Sequence, residues 1–206
     1  GGRAEVVAAP PTEMLKAFIK NLGARAEKVR GGKVDPSEDN MLKICSDGRK
    51  AALDMRLLNP LAEDYADSKV NKAVQKIFDI WKSGKADKTT QLVFIDIGTP
   101  GDEKDADAGH SVYQDVRKKL IRLGIPKAEI AFIHEANNKL SKALLFDAVN
   151  AGKVRILLGS SAKMGTGMNV QRRLIALHHL DAPWRPDLVE QREGRIIRQG
   201  NINKNV

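Results

Sequence analysis

From residue 91 onward the chain alternates short, mainly apolar runs with stretches of helical length, and few folds accept that pattern. Residues 91–97, 129–133, 154–158 and 174–180 read as strands, and 112–123, 140–149 and 186–199 as helices. A strand that is apolar on both faces has to be covered on both. Strands separated by helices of this length have to run parallel, because the return path is a crossover and not a hairpin. The predicted class is therefore α/β, a parallel sheet with helices on both faces. Ligands of such sheets gather beyond the carboxyl ends of the strands, which directs attention to the loops after residues 97, 133, 158 and 180.

The N-terminal part reads differently. Met14, Leu15, Phe18, Ile19 and Leu22 recur at helical spacing after Pro10 and Pro11, with Thr12 as N-cap. Residues 31–40 are turn formers, and the apolar run 41–45 predicts a short strand. Asp47 then caps a helix carrying Ala51, Leu53, Leu57 and Leu58 that stops before Pro60. Ser68 predicts the N-cap of a further helix, with Val70, Val74, Ile77, Phe78 and Trp81 on its apolar face and Gly84 past its end. The segment 101–109 holds Asp102, Glu103, Asp105 and Asp107 against one Lys, and reads as a solvated loop.

Composition narrows the class of function. The chain has 206 residues, enough for a core without staples, and Cys45 is its one cysteine, so no internal disulfide forms. No apolar run reaches the ~18 residues that cross a bilayer, and no apolar segment follows Gly1, Gly2 and Arg3 as in a secretory signal. The expected setting is a reducing cytoplasm, with no membrane partner. The net charge is +9, and residues 151–206 carry ten Lys or Arg against four Asp or Glu, or +6. A basic field of this kind suits a polyanion, either a nucleic acid or the phosphates of a nucleotide.

Three stretches carry candidate chemistry. In 186–199, read as one helix, Arg192, Arg195 and Arg198 recur every three residues and would share a broad face. Guanidinium groups match phosphate oxygens bidentately and stay charged at any working pH. Gly194 in mid-helix would cost about 1 kcal/mol against Ala, which suggests a close approach to the backbone there. Residues 159–170, Gly-Ser-Ser-Ala-Lys-Met-Gly-Thr-Gly-Met-Asn-Val, follow a strand directly and can present backbone N–H groups to an anion. Between the two lies Asp181-Ala182-Pro183-Trp184-Arg185-Pro186-Asp187, a proline-braced loop that would set the angle at which the arginine helix leaves the sheet.

Together these stretches resemble motifs V and VI of superfamily 2 helicases and translocases, with Gln191, Gly194, Arg195 and Arg198 in the motif VI pattern. The Gly165, Gly167 and Asn169 loop, with Asp181, Trp184 and Pro186 after it, is most similar to the chromatin-remodeller-like branch. Residues 91–100 resemble motif IV. Residues 39–44 and 46–54 resemble phage- and plasmid-type proteins in which this region is fused to an adenine-specific DNA methylase.

The resemblance implies a RecA-like C-terminal lobe over residues 67–206. Residues 1–66 would be a helical extension and linker to a first lobe. It implies ATP and Mg2+ held mainly by that first lobe, with DNA and the first lobe as partners and a fused methylase as a further one. Arg195 and Arg198 would act as arginine fingers and Gln191 would order phosphates or the attacking water. Gly165, Gly167 and Asn169 would lie near the nucleotide, while Ser161 and Lys163 would touch DNA phosphate.

No Gly-x4-Gly-Lys-[Ser/Thr] loop occurs, so this chain by itself is expected to hydrolyse nothing. The string Asp102-Glu103-Lys104-Asp105 imitates an acidic Mg2+ motif, but glycines displace it from the preceding strand.

Other readings fit parts of the sequence. One is a stand-alone basic nucleic-acid-binding module; another is a methyltransferase-like fold with Gly165-Thr166-Gly167 as cofactor turn, although that loop comes too late in the chain. Ser160-x-x-Lys163 lacks the companion motifs of a β-lactamase. His178 and His179 point to opposite faces of a strand, and His110 and His134 have no ligand-spaced partner, so no metal site is expected.

Overall fold

Four strands, β1 (Thr90–Phe94), β2 (Ile130–Phe132), β3 (Ile156–Gly159) and β4 (Leu174–His179), form one sheet in the order β2-β3-β1-β4, every pair parallel. This computed structural model describes residues 4–100, 110–164, 168–197 and 199–203. The acidic segment 101–109 predicted as a solvated loop lies outside the described residues. The α/β class is as the apolar runs required. β1 and β3 are buried at every position, which is what strands apolar on both faces demand.

The helices are α1 (Glu13–Arg30), α2 (Met41–Leu53), α3 (Lys69–Ser83), α4 (Val112–Arg122), α5 (Lys139–Asn150), α6 (Ser161–Met164) and α7 (Pro186–Glu193). One face of the sheet packs under α3 and α4. There Val70, Ile77, Val93, Ile95, Val112, Val116 and Leu120 are fully buried, each removing apolar surface worth about 1.5–3 kcal/mol. The other face packs against α5 and the segment after α6 through Leu92, Phe94, Leu157, Met164, Met168 and Val170. Among the described residues, no helix is long and apolar enough to cross a membrane.

Caps fall where small polar residues precede apolar periodicity. Thr12, Ser68 and Ser111 accept hydrogen bonds from the N–H groups of Leu15, Asn71 and Gln114. The strand expected over 41–45 is instead the first turn of α2. Asn40, and not Asp47, is its N-cap, accepting from the Lys43 N–H. With its start moved upstream, Ile44 and Ala51, seven residues apart, fall on one buried face, a helical spacing that the short run 41–45 conceals, and Leu53 is buried at the helix end.

Asp47 instead joins Asp39 in holding Arg25 at 2.7–2.8 Å, which clasps α1 to α2. The apolar residues of α1 are not buried as its periodicity suggests; Met14 and Ile19 stay about half exposed. Leu53 and Leu57 enter the core beneath α3 and α4. Arg56 ties the following turn to α4, donating to Asp54 at 2.6 Å and to Asp115 at 2.8 Å.

Buried polar side chains pin the helices to the sheet. Gln91 donates from Nε2 to Ile77 O at 3.0 Å, and Arg155 donates to Trp81 O and Thr89 O at 2.7 and 3.0 Å while lying 5.2 Å from the Trp81 ring centroid. Where α5 turns into β3, Gly152 takes φ +71°, and a Cβ there would stand 2.7 Å from Lys88 Cβ and 2.9 Å from Lys88 O. Gly152→Ala should therefore destabilise the chain by roughly 1–3 kcal/mol, through both strain and the clash. Chemical denaturation measures this, and an unchanged midpoint would show that the two loops are not pressed together.

Candidate functional site

The loops at the carboxyl ends of β1, β3 and β4 converge on one guanidinium, that of Arg192. The side chain, 2% exposed, donates from Nη2 to Asp96 Oδ2 at 2.6 Å and from Nε to Ser161 Oγ at 2.6 Å. Its Nη1 reaches Asp181 O and His179 Nδ1, both at 3.2 Å. The Phe94 ring lies 4.8 Å from the guanidinium carbon, with His179 stacked on it.

Asp96 also accepts from the N–H and the hydroxyl of Ser161, at 2.6 and 3.0 Å. Asp181 closes the network. Its Oδ2 accepts from the N–H groups of Asp96 and Ile97 at 2.6 and 3.0 Å. Burial, and next the charge of Asp96, push its pKa above the usual carboxylate range. Lys69, close enough to feel Asp181, is shifted the other way by its own burial.

The helix expected over 186–199 ends early, yet Arg192 and Arg195 still border one small cleft. α7 ends at Glu193 and Gly194 is its C-cap, donating its N–H to Glu190 O at 2.8 Å, so this glycine stands at the helix end and not in mid-helix. The N–H groups of Arg195 and Ile196 then bond three residues back, to Arg192 O and Glu193 O, in a tighter turn. In such a turn side chains three residues apart lie nearly one above the other, which keeps Arg195 beside Arg192. Both are buried, at 2% and 6% exposure.

Of the candidate residues in the sequence, Ser161, Gln191 and Arg195 come together. With Phe94, Met164, Leu188 and Arg192 they line a small cleft at the carboxyl rim. Gln191 is exposed at its edge. Ser161 spends its hydroxyl on Asp96 and Arg192, whereas the Lys163 side chain is exposed. Asn169 is exposed too, its backbone oxygen taken by Asn150 Nδ2 at 2.7 Å. Gly165, Gly167 and Arg198 lie outside the described residues.

Sequence reasoning misses Asp96, because an acidic residue at the edge of the run 91–97 carries no local pattern. Trp184 is 61% exposed and does not cap the core; Arg49 of α2 lies 4.7 Å over its ring and donates to Ala182 O at 3.0 Å.

The histidines are partnered internally. His178 Nε2 meets Gln91 Oε1 at 2.8 Å. His110, without a partner at ligand spacing in the sequence, has Nε2 3.4 Å from Asp54 Oδ2. Asp54, His110 and Asp115 could bring ligand atoms within 4.8 Å of one another. Arg56 and Lys119 already pair with these carboxylates, so the group is an ion-pair network.

Comparison with known proteins finds a similarity over part of the chain. Residues 107–200, a little under half of it, match the family model of the helicase conserved C-terminal domain. Asp96 and Phe94 lie upstream of the matched stretch. Among solved structures, the Pyrococcus furiosus Hef helicase domain is similar at 14% identity and a TM-score of 0.43. That similarity covers 91% of this chain and 34% of the other, so this chain spans about a third of that one. No curated protein gives a significant match.

Two outcomes follow from the network. Asp96→Ala should destabilise the fold by about 3–5 kcal/mol, because it leaves the Arg192 charge buried without its carboxylate; urea denaturation measures the loss, and a change under about 1 kcal/mol would remove the ion pair's structural role. His178 is held near pKa 4 by burial and by neighbouring His179 and Lys76, below its ordinary 6.5. A depressed histidine favours the native state above pH 6.5, and that contribution should fade as pH falls toward about 4. His178→Gln should flatten the decline of the urea midpoint over that range, and an unaltered slope would assign the acid sensitivity elsewhere.

Proposed function

We propose that this chain is the second RecA-like lobe of an ATP-dependent DNA helicase or translocase of the chromatin-remodeller-like branch. The observation that carries the reading is the convergence of Ser161, Gln191 and Arg195 on one cleft at the carboxyl rim of a parallel sheet. The family match over residues 107–200 supports it from the sequence side. Such a lobe works against a first lobe that supplies the nucleotide-binding loop, and this sequence contains no such loop.

The donor set at the cleft suits phosphate oxygens: one guanidinium, one amide and a nearby exposed ammonium. It does not suit Mg2+, since Asp96 and Asp181 are engaged by Arg192 and by backbone N–H groups. The metal would therefore be held by the first lobe. ATP would supply the phosphoryl group whose transfer drives the motor.

Arg195 and Arg198 would stabilise negative charge gathering on the transferring phosphoryl oxygens. Gln191, at the cleft's edge, would orient phosphate or water. Gly165, Gly167 and Asn169 would border the nucleotide. Lys163, and Ser161 through its place at the start of α6, would contact DNA phosphate. Arg192 has a different role: with Asp96 and Ser161 it joins the arginine segment to the β3 loop, so a shift at one is felt at the other.

Residues 1–66 would connect to the first lobe, and the resemblance of residues 39–54 to helicase–methylase fusions supports an intact protein that also carries an adenine-specific DNA methylase.

The test is DNA-stimulated ATP hydrolysis by the intact parent protein. Arg195→Ala and Arg198→Ala should each lower kcat by roughly 10³-fold while changing KM for ATP far less, because the charge they meet is largest in the transition state. Near-normal turnover in both variants would end the arginine-finger assignment and leave a nucleic-acid-binding module without an ATPase role.

A further inference from the structure

In a parallel sheet every connection that enters a strand arrives at the same rim, here the amino rim, on the far side from the arginine cleft. The entering segments are 84–89 before β1, 126–129 before β2, 151–155 before β3 and 171–173 before β4. They carry seven Lys or Arg against Asp87 and Glu129, or +5 of the chain's +9. Contacts show that they form one surface. Gly152 backs onto Lys88, and Arg173 donates to Asp87 O at 2.6 Å and Asn150 O at 3.2 Å. The Arg155 N–H donates to Glu129 O at 2.8 Å.

The seventh cation, Arg155, is 3% exposed and serves as the internal pin described above. The other six, Lys85, Lys88, Lys127, Lys153, Arg172 and Arg173, have side chains reaching the surface, five of them exposed and Arg173 in part. None of the six takes part in an ion pair with a described residue; of the two acids on the rim, Glu129 receives the Trp81 indole N–H at 2.6 Å and lies 3.8 Å from Arg155. Some cations elsewhere are paired: Arg25, Arg56, Arg117 and Lys119 face carboxylates at 2.6–2.7 Å. Keeping six cations together with only Asp87 and Glu129 among them costs self-repulsion, which an external polyanion relieves.

From this surface we infer a second nucleic-acid contact, in which the amino rim binds the phosphate backbone of a duplex without reading its sequence. The side-chain chemistry selects that partner. The four segments hold no aromatic side chain on which an unpaired base could stack. None of their residues is an exposed large apolar group that would insert into a lipid surface; the apolar neighbour is a single Ile202, bonded through its N–H to Arg172 O. Lysines and arginines alone deliver counterion release on a charged backbone. This contact is independent of the arginine cleft and holds whether or not the cleft serves ATP.

The experiment is a salt titration of binding by the 206-residue chain to a short mixed-sequence DNA duplex, read by fluorescence anisotropy. Lys88→Gln, Lys153→Gln and Arg172→Gln combined should weaken binding by at least about 10-fold near 0.1 M salt. They should also reduce the slope of log K against log salt by about 2–3. A second variant, Lys85→Gln with Lys127→Gln, touches no side-chain contact of the fold and should reduce the slope by about 2.

Lys16→Gln, Lys20→Gln and Lys28→Gln on α1 remove the same charge as the first variant and should leave the slope unchanged. An equal loss in the α1 variant would reduce the rim to part of a diffuse field and overturn the inference. Wild-type slopes in both rim variants, or binding to phosphatidylserine vesicles with none to the duplex, would also overturn it.

Discussion

The buried pair of Arg192 and Asp96 is the interaction around which the carboxyl rim is arranged. A charged group taken out of water is tolerated only when partners satisfy it on every side. Arg192 finds them in Asp96 after β1, Ser161 after β3, and His179 and Asp181 from the end of β4. Three loops and the segment that follows β4 are thereby fixed relative to one another. Asp181 extends the same logic by accepting the N–H groups of Asp96 and Ile97, so the backbone leaving β1 is held as well. Gln191 and Arg195, on either side of Arg192 in the chain, take their positions at the cleft from this anchor.

That arrangement separates two uses of arginine that look alike in a sequence. Arg192 is spent inside the protein, holding the scaffold. Arg195 lines the cleft, where the proposed reading has it meet phosphate. A spacing of three residues says that side chains are neighbours on a helix and says nothing about where the helix stops. Here α7 ends at Glu193, and the tighter turn beyond it carries Arg195 on from Arg192 to the same cleft. The anchor also explains why the β3 loop and the arginine segment would respond to each other, since Ser161 is bonded to both Asp96 and Arg192.

Charge is divided in a related way across the sheet. The C-terminal 56 residues look uniformly basic when read along the chain, with ten cations against four acids. The fold divides those cations between two rims. Lys153, Arg155, Arg172 and Arg173 enter strands and gather at the amino rim, while Lys163, Arg185, Arg192 and Arg195 follow strands and gather at the carboxyl rim. At the carboxyl rim Asp96, Asp181 and Asp187 offset them; at the amino rim the two acids leave a large excess. A single basic segment in sequence thus becomes two surfaces with different electrostatics.

Much of the architecture was legible from the residues. Apolar runs at 91–97 and 154–158 had to be interior strands, since no other placement removes both their faces from water, whereas the run 174–180 became a partly buried edge strand. Thr12, Ser68 and Gly84 marked helix ends because capping depends on atoms a few residues apart. The resemblance carried by 159–170 and 181–200 pointed to the rim where the cleft lies. The start of α2 was hidden because a short apolar run such as 41–45 suits a strand or a helical turn equally well, and only packing against the core chooses. The partners of Arg192 were invisible for a stronger reason: Asp96 and Ser161 are 96 and 31 residues away, and no local rule links them. Periodicity and capping are short-range and written in the chain, whereas charge pairing, cleft lining and the division of cations between rims depend on which loops the sheet brings together.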